Sequence, residues 1–570
     1  MKKQVVVLAS LALASAAFAT DFMWKAAVDG AFGTAANWSP DTGVPGEEDK
    51  AIFSVPGSYC VCESDASRTI GSVNVTNADV TVDLGGKTWT VKGPWSTYNS
   101  VYNTTMTHTT IMNGTLDVQD GNSSDASGII VSTKDNVATK GNLHITGANT
   151  RVTTRALWMG ATQGSFILDG GATCEVAGEV RWGGKMGGGH DNVVSITGAG
   201  TRFRQTASGD ATGNGIGDRN KYYFTDQASV YFASMYYLAG DYGGRWNQLW
   251  ITNGASVVYG NGFTVSKGDN SRSVQQDVCT IAGADTRVTV TGTLWVAGNS
   301  ISNTLHVTDH AIVTHALASG STVCTIGRDG TRVGLACGNE FRVDGGAEYH
   351  CIPNPAQNYN YHSLYVGDGA YSTGNRIFVG ADSIFELARN NNEGFVGYNG
   401  AHDNGIVVSN GTFNVTKDWN LSFGTSKNND TPCGSGNYIE FYGDHPLAYV
   451  GVLKFHTGSK LVYHVDEKGY GTSPLMIRYF VTNESETPSQ LVLDVSRWHP
   501  DGKATIPLAY SMQTSAERIQ KNKVWFDELR EHVIITGAAH PDWYSVAVSE
   551  DDKTLQLIYK PRKGLEIIIR

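Results

Sequence analysis

The chain has 570 residues, of which 17% are charged, and it carries a formal net charge of −11 with a sequence pI near 5.7. Nucleic acid and anionic membranes require a basic face, so this balance argues against both as main partners. A chain of this length is too long for one compact core, but an array of repeats escapes that limit because each unit packs only on its neighbours. The 67 glycines suit many tight turns between short strands.

Residues 1–19 have the three parts of a secretory signal peptide in order. Two lysines precede an apolar run at residues 5–14, and the small-residue sequence AFA closes the segment. The mature chain is therefore predicted to begin at Thr20. No later segment is long and apolar enough to span a bilayer. We expect a secreted or extracytoplasmic protein without a transmembrane segment.

Residues 20–93 are predicted to form an N-terminal cap and the first coils of a solenoid. Trp24, the sequence ANWS ending at Ser39, and the DKAIF segment ending at Phe53 follow one another in a recognisable order. This order resembles the opening of the autotransporter-associated β-strand repeat proteins, and that resemblance implies a right-handed parallel β-helix. The first coil of a solenoid must be covered, because it would otherwise expose its interior and an unpaired strand edge. We expect Trp24 and Trp38 to plug this end.

Residues 94–432 are predicted to form the β-helix repeats. The phrase ITGANTRV, which begins at Ile145, returns as ITGAGTRF from Ile196 and as IAGADTRV from Ile281, with weaker echoes between them. The echoes start about 29 residues apart on average, which is typical of a solenoid. Alternating runs of three to five residues, separated by Gly and Asn, predict three short strands per coil. Asn142, Asn192 and Asn303 precede strands and are expected at corners.

These repeats also resemble the passenger repeats of adhesin-like autotransporters, and this resemblance makes the cell surface of a Gram-negative-type bacterium one expected location of the exported chain. That resemblance covers about half of the chain and implies the solenoid fold, but solenoids of this kind include adhesins, lyases and inert spacers alike. We expect no translocator barrel, because too few residues remain after the repeats and alternating segments of the required length are missing.

Residues 433–570 are predicted to form a β-rich C-terminal cap with one helix near residues 514–532. Ile519, Val524, Trp525 and Leu529 could form the apolar stripe of that helix. A hairpin is predicted to follow, around the Asp551-Asp552-Lys553 turn.

The eight cysteines have no spacing typical of a zinc site, so neither a metal nor a cofactor is predicted. Most of the thiols are expected to lie buried inside the coil. Cys60 and Cys62 share one face of a predicted strand, where either could meet a third residue.

Aromatic residues crowd into two short stretches of the repeats. Adjacent strand residues face opposite sides, so the pairs Tyr222-Tyr223 and Tyr236-Tyr237 must each send one ring outward. Outward rings on a rigid sheet can stack on sugar rings. The candidate glycan contacts are Tyr223, Tyr237, Trp246, Tyr359 and Tyr361. The alternative interpretation is that these rings only cover the wall of the solenoid or pack under a loop.

Catalysis would require paired carboxylates on adjacent coils. Asp344, Asp368 and Asp382 are near enough in coil number, but Asp169, Asp226, Asp309 and Asp344 stand where the repeat requires a turn residue, and no catalytic residue is assigned. The sequence favours a secreted or cell-surface structural and adhesive protein that contacts polysaccharide or another surface without chemistry. The alternatives are an extracellular polysaccharide lyase or glycoside hydrolase, and a spacer with no ligand.

Overall fold

The computed structural model describes sixteen stretches of the chain, and all structural statements below concern them: residues 19–97, 107–120, 128–131, 140–160, 162–183, 189–207, 217–239, 244–267, 274–316, 324–328, 336–352, 363–387, 393–425, 434–456, 458–482 and 487–562. The predicted signal peptide lies outside them, apart from its last residue.

The described chain winds as a parallel β-helix, and the predicted fold class is confirmed. Most coils contribute one strand to each of three sheets, and strands of successive coils pair in parallel except at the two ends of the coil. We number the sheets by their order at the N-terminus.

Sheet 1 has an N-terminal stack of eight strands and, at the same place in later coils, a second stack of six. Its strands are Asp21–Trp24, Trp38–Ser39, Lys50–Phe53, Ser72–Val75, Trp95–Thr97, Ile129–Ile130, Leu157–Met159, Val180–Trp182, then Tyr236–Ala239, Gly262–Ser266, Thr293–Gly298, Cys324–Arg328, Ser363–Asp368 and Glu393–Tyr398.

Sheet 2 runs from the first coil to the last. Its strands are Gly30–Ala31, Ser58–Cys62, Asp79–Asp83, Thr107–Met112, Gly141–Thr146, Ser165–Leu168, Val193–Thr197, Lys221–Thr225, Gln248–Thr252, Val278–Ala282, Thr304–Thr308, Glu340–Val343, Arg376–Val379, Gly405–Ser409, Tyr438–Gly443, Lys460–Val465, Gln490–Asp494 and Val533–Thr536.

Sheet 3 completes each coil. Its strands are Arg68–Ile70, Thr88–Val91, Thr115–Val118, Arg151–Thr154, Thr173–Val176, Arg202–Gln205, Ser229–Phe232, Ser256–Tyr259, Arg287–Thr291, Ile312–Ala316, Glu348–Ile352, Ile384–Leu387, Thr412–Phe423, Leu447–Phe455, Leu475–Thr482, Ala504–Ser511, Tyr544–Val548 and Thr554–Tyr559. The long strand Thr412–Phe423 also pairs with the last strand of sheet 1.

The remaining elements are short, apart from one helix. Strands Val274–Gln275 and Ser300–Ile301 pair with each other, as do Ala336–Cys337 and Ser372–Thr373. The helix is Ala516–Glu531, and the 3₁₀ turns are Ala35–Asn37 and Pro541–Trp543.

The interior is built from columns of equivalent residues. Ile145 pairs with Leu168, which pairs with Ile196, and the same column continues to Ile281. These side chains are at most 1% exposed. The repeated phrase therefore marks one inward position on successive coils, because hydrophobic burial rewards stacking apolar residues in register.

An asparagine ladder fixes the corner between sheets 1 and 2. Asn303 illustrates it: its backbone N–H and its Nδ2 both donate to Oδ1 of Asn339, each at 2.9 Å. Equivalent backbone bonds join nine ladder residues: Asn192, Asn220, Asn247, Asp277, Asn303, Asn339, Asn375, Asn404 and Asn437. Asn192 and Asn303 are thus corner residues, as expected. Asn142 differs, because it lies inside a strand and accepts a bond from Ser165.

The two ends of the coil are closed by different means. Trp24 and Trp38 are 2% and 0% exposed, with ring centroids 5.1 Å apart. At the other end, strand Thr554–Tyr559 pairs antiparallel with Ala504–Ser511, and the helix packs Trp525 on Phe480 with ring centroids 3.4 Å apart.

The C-terminal helix is confirmed, but its buried face differs from the predicted stripe. Trp525 and Leu529 are buried with Phe526, whereas Val524 is 67% exposed. Parallel coils continue past residue 433, since Tyr438–Gly443 pairs in parallel with Gly405–Ser409. The domain boundary at 433 remains a prediction.

Candidate functional site

A pair of stacked rings lies on the outer face of sheet 2. In strand Lys221–Thr225 the side chains of Tyr222 and Phe224 face the core, so Tyr223 faces outward. The next coil places Trp250 directly beside Tyr223 in register. Their ring centroids are 4.8 Å apart and their planes differ by 5°. We call Tyr223 and Trp250 the ring platform.

The positions around the ring platform are small or polar. Ser195 and Thr280 continue the same column beyond Tyr223 and Trp250 respectively. Lys221 and Gln248 flank the rings on one side. Both rings are partly exposed. Rigid rings with short neighbours offer an apolar surface that can stack on a sugar ring, while the polar side chains can bond its hydroxyls.

Trp246 occupies the corner that leads into the coil of Trp250. Its side chain is 42% exposed, and its indole Nε1 donates to Oε1 of Gln276 at 2.6 Å. The residue before each of the nine ladder residues has a positive φ, and Trp246 holds this position with φ 60°. A left-handed conformation costs a non-glycine residue about 1–2 kcal/mol.

The same corner is charged in the two coils that precede Trp246. Arg219 binds Asp191 through Nε and a terminal nitrogen, at 2.8 and 2.9 Å. The hydrogen bond from Arg219 holds the pKa of the Asp191 carboxyl below its usual value. This ion pair holds two charged side chains at the corner between sheets 1 and 2, beside the outer face of sheet 2.

The other candidate contacts lie elsewhere. Tyr237 is on the outer face of sheet 1, where Lys267 Nζ lies 5.3 Å from the centre of its ring. It is therefore not part of the ring platform. Tyr359 and Tyr361 lie outside the described residues, and their roles remain predictions.

Trp250 is the ring that the candidate set omits. Alternation within Gln248–Thr252 was enough to place its side chain outward, because Leu249 and Ile251 are apolar. Trp250 follows Tyr223 by 27 residues in the chain. Because coil length varies along this chain, that separation does not by itself place the two rings side by side. Only the pairing register establishes that contact.

Two groups of carboxylates on the outer face of sheet 2 are tied into ion pairs. His306 Nε2 lies 2.8 Å from Oδ1 of Asp344, and Arg342 binds the other oxygen. Burial acts to raise the pKa of Asp344, but the bonds from His306, Thr308 and Arg342 outweigh it and lower the pKa. Asp344 therefore stays ionised and does not suit the role of a general acid.

A second such group lies further along the face. His464 Nε2 is 2.7 Å from Glu440, and its Nδ1 is 3.1 Å from Asp494. Burial acts to lower the pKa of His464, yet its two acidic partners raise it overall. Both carboxylates are thus paired with a cationic imidazolium at mildly acidic pH.

The three aspartates considered for catalysis do not share a groove. Asp344 follows a strand of sheet 2, Asp368 ends a strand of sheet 1, and Asp382 turns the corner towards sheet 3 with φ 58°. Turn chemistry accounts for Asp382, because Asp tolerates a left-handed conformation better than most residues. The buried carboxyl with a raised pKa, Asp277, belongs to the ladder inside the wall.

The described ranges contain no group of three or more His, Cys, Asp or Glu side chains that could hold a metal ion. Cys174, Cys279, Cys324 and Cys351 are buried thiols, as expected. Cys60 and Cys62 meet each other, with their sulfurs 3.1 Å apart. Across the same ranges, no helix is both long and apolar enough to cross a membrane.

Known proteins give little further information about this chain. No family model matches it, and no curated protein does so. Among solved structures, it is similar to a hyper-glycosylated fragment of TibA, modified by TibC, at 11% sequence identity. The match covers 82% of this chain and 99% of that one, with a TM-score of 0.19, too low to carry an argument.

Proposed function

We propose that this chain is an exported adhesive protein of the cell surface, which holds polysaccharide or another surface glycan on its outer rings without chemical conversion. The observation that carries the proposal is the ring platform, in which Tyr223 and Trp250 stack at 4.8 Å on a rigid sheet. A preformed aromatic surface loses little conformational entropy on binding, so it suits repeated contact with a carbohydrate.

The parallel β-helix supports this role mechanically. Every coil is bonded to the coils on both sides, so the outer face forms a rigid surface of repeated outward positions. Trp246 adds an exposed indole at the corner of the same coil as Trp250.

The test is binding of the mature chain to a glycan array, followed by measured affinity for the glycans that retain it. Tyr223→Ala and Trp250→Ala should each weaken binding about tenfold, because each removes half of the stacking surface. Tyr231→Ala is the matched control. Tyr231 is also an outward tyrosine, but it lies on sheet 3 beneath Arg204 at 5.4 Å.

Circular dichroism should show that all three variants keep the strand content of the wild type. Wild-type affinity in both platform variants would contradict the proposal. Cleavage of a retained polysaccharide, seen as new reducing or unsaturated ends, would contradict the absence of chemistry.

A further inference from the structure

A second outward column, on sheet 1, alternates large rings with small threonines. The pairing register runs from Tyr237 to Thr264, Trp295, Thr325 and Tyr365 on five successive coils. All five side chains point away from the core, since their strand neighbours point into it. Rings therefore recur every second coil, about 9.6 Å apart at the usual strand spacing.

The threonines between the rings are covered. Thr264 and Thr325 are 0% and 1% exposed although they point outward. The neighbouring rings of Tyr237, Trp295 and Tyr365 are partly exposed. The exposed part of the column is therefore its rings, which form an aromatic ledge.

A column of charged residues runs beside this ledge with the same period. Lys267 bridges to Gly298, which pairs with Arg328, which pairs with Asp368. Each cation lies one coil beyond a ring and faces it. Lys267 Nζ is 5.3 Å from the ring centre of Tyr237, and the guanidinium of Arg328 is 5.7 Å from that of Trp295.

We propose that this ring-and-cation column, formed by Tyr237, Lys267, Trp295 and Arg328, binds an extended acidic polysaccharide that carries one carboxylate in each disaccharide. The two-coil period is close to the length of one disaccharide in an extended β-linked glycan. Alternate sugars would therefore meet a ring, and the carboxylate of each repeat would meet a cation. That the ligand is a polysaccharide rests on the proposed function, whereas the site, its face and its charge preference are separate from the ring platform.

A carboxylate of the ligand would bind these cations more strongly than the aromatic rings do. Exposed cation–aromatic contacts are weak, whereas a charge-assisted hydrogen bond to a carboxylate is roughly twice as strong as a neutral one. Arg328 also lies 3.7 Å from Asp368, but its side chain is 49% exposed and has further N–H donors to offer. The charge in this column reverses at Asp368, so the site ends there.

The exposed rings of the column set the length of the ligand. The next residue in register, Phe395, is 9% exposed and stacks on Tyr365 with ring centroids 5.4 Å apart, so the alternation of exposed rings and threonines ends at Tyr365. Tyr237 and Tyr365 are four coils apart, about 19 Å at the usual strand spacing, which spans two disaccharides. Affinity should therefore rise steeply from a disaccharide to a tetrasaccharide and then level off.

The test uses the mature chain and calorimetry at low salt, with hyaluronan and unsulfated chondroitin tetrasaccharides as acidic probes. Chitotetraose is the neutral probe of the same length, and a short polyaspartate is the control for charge alone. The wild type should bind at least one acidic tetrasaccharide at least tenfold more tightly than chitotetraose and polyaspartate. The double variant K267Q/R328Q should lose that difference while still binding chitotetraose as the wild type does.

Arg204→Gln is the matched control, because Arg204 makes the same kind of contact with Tyr231 on sheet 3. It should leave every affinity unchanged. Equal affinity of wild type and K267Q/R328Q for the acidic probes, or no preference of the wild type for them, would overturn the inference. Wild-type glycan binding by Tyr223→Ala and Trp250→Ala would instead count against the ring platform alone, so the two failures are distinguishable.

Discussion

At the scale of single residues, Asp277 stands out because it interrupts a ladder of asparagines. It is fully buried, and its Oδ1 accepts bonds from the backbone N–H and Nδ2 of Asn247 at 2.9 and 3.0 Å. Burial raises the pKa of its carboxyl well above the usual range, although the bonds from Asn247 oppose the shift. A carboxylate also lacks the N–H groups with which the amide of Asn303 donates to the next coil.

The raised pKa makes stability depend on pH. Above about pH 4 the unfolded chain has released the Asp277 proton while the folded chain still holds it, so stability falls as the pH rises. Asp277→Asn should remove this loss and restore one ladder bond, which would stabilise the fold by about 1 kcal/mol at pH 7. Urea unfolding at pH 4 and pH 7 measures both effects.

Asp226→Asn is the control of opposite sign. Bonds from Thr197, Asn253 and Thr225 lower the pKa of Asp226, so its contribution is present at neutral pH and is lost as the pH falls. This variant should not be more stable than the wild type at pH 7. A pH profile of Asp277→Asn identical to that of the wild type would refute the account of Asp277.

At the scale of the element, the ladder determines how successive coils stay in register at the corner. Oδ1 of Asn375 accepts from the backbone N–H and Nδ2 of Asn339 at 3.1 and 2.8 Å, and its own amide donates to Asn404 at 2.9 Å. Because these groups are buried, removing the side chain leaves several of them without partners.

Asn375→Ala should therefore lower the free energy of unfolding by about 3 kcal/mol, the sum expected for two buried groups left unpaired. Asn414→Ala is the matched control, because Asn414 bonds Glu386 on the outer surface of sheet 3. Denaturant unfolding of the two variants gives the comparison. A loss in Asn375→Ala no larger than that in Asn414→Ala would mean that strand pairing alone sets the register.

At the scale of the whole molecule, the ends decide whether a solenoid stays monomeric. The last coil would expose its interior and strand edges without a cover. Trp525, which is 2% exposed, supplies much of that cover by packing against Phe480 and Phe455.

Trp525→Ala should destabilise the fold by about 3–5 kcal/mol and promote association, because it removes a large buried ring at the C-terminal end. Val524→Ala is the matched control from the preceding position of the helix, since Val524 is 67% exposed. Thermal unfolding and light scattering should separate the two. Equal melting temperatures and equal monomer fractions would show that the helix does not seal the coil.

Much of this architecture follows from the sequence alone. The repeated phrase predicted a column shared by Ile145, Ile196 and Ile281, and burial places them in it. Strand alternation has a period of two, so the outward direction of Tyr223 and Tyr237 also follows locally. The ladder role of Asn192 and Asn303 was predictable only as a corner preference, because asparagine tolerates unusual φ values.

Which outward residues meet was decided by the tertiary structure. Coil length varies, so the number of residues between two side chains does not reveal whether they lie side by side. Tyr223 stacks on Trp250 of the next coil on sheet 2, whereas Tyr237 contacts Lys267 of the next coil on sheet 1. The sequence by itself determined the coiled fold, because burial acts on a local, periodic pattern of apolar residues. The outer surfaces were decided by the tertiary structure, because they depend on the register between coils, which loop lengths and corner hydrogen bonds fix.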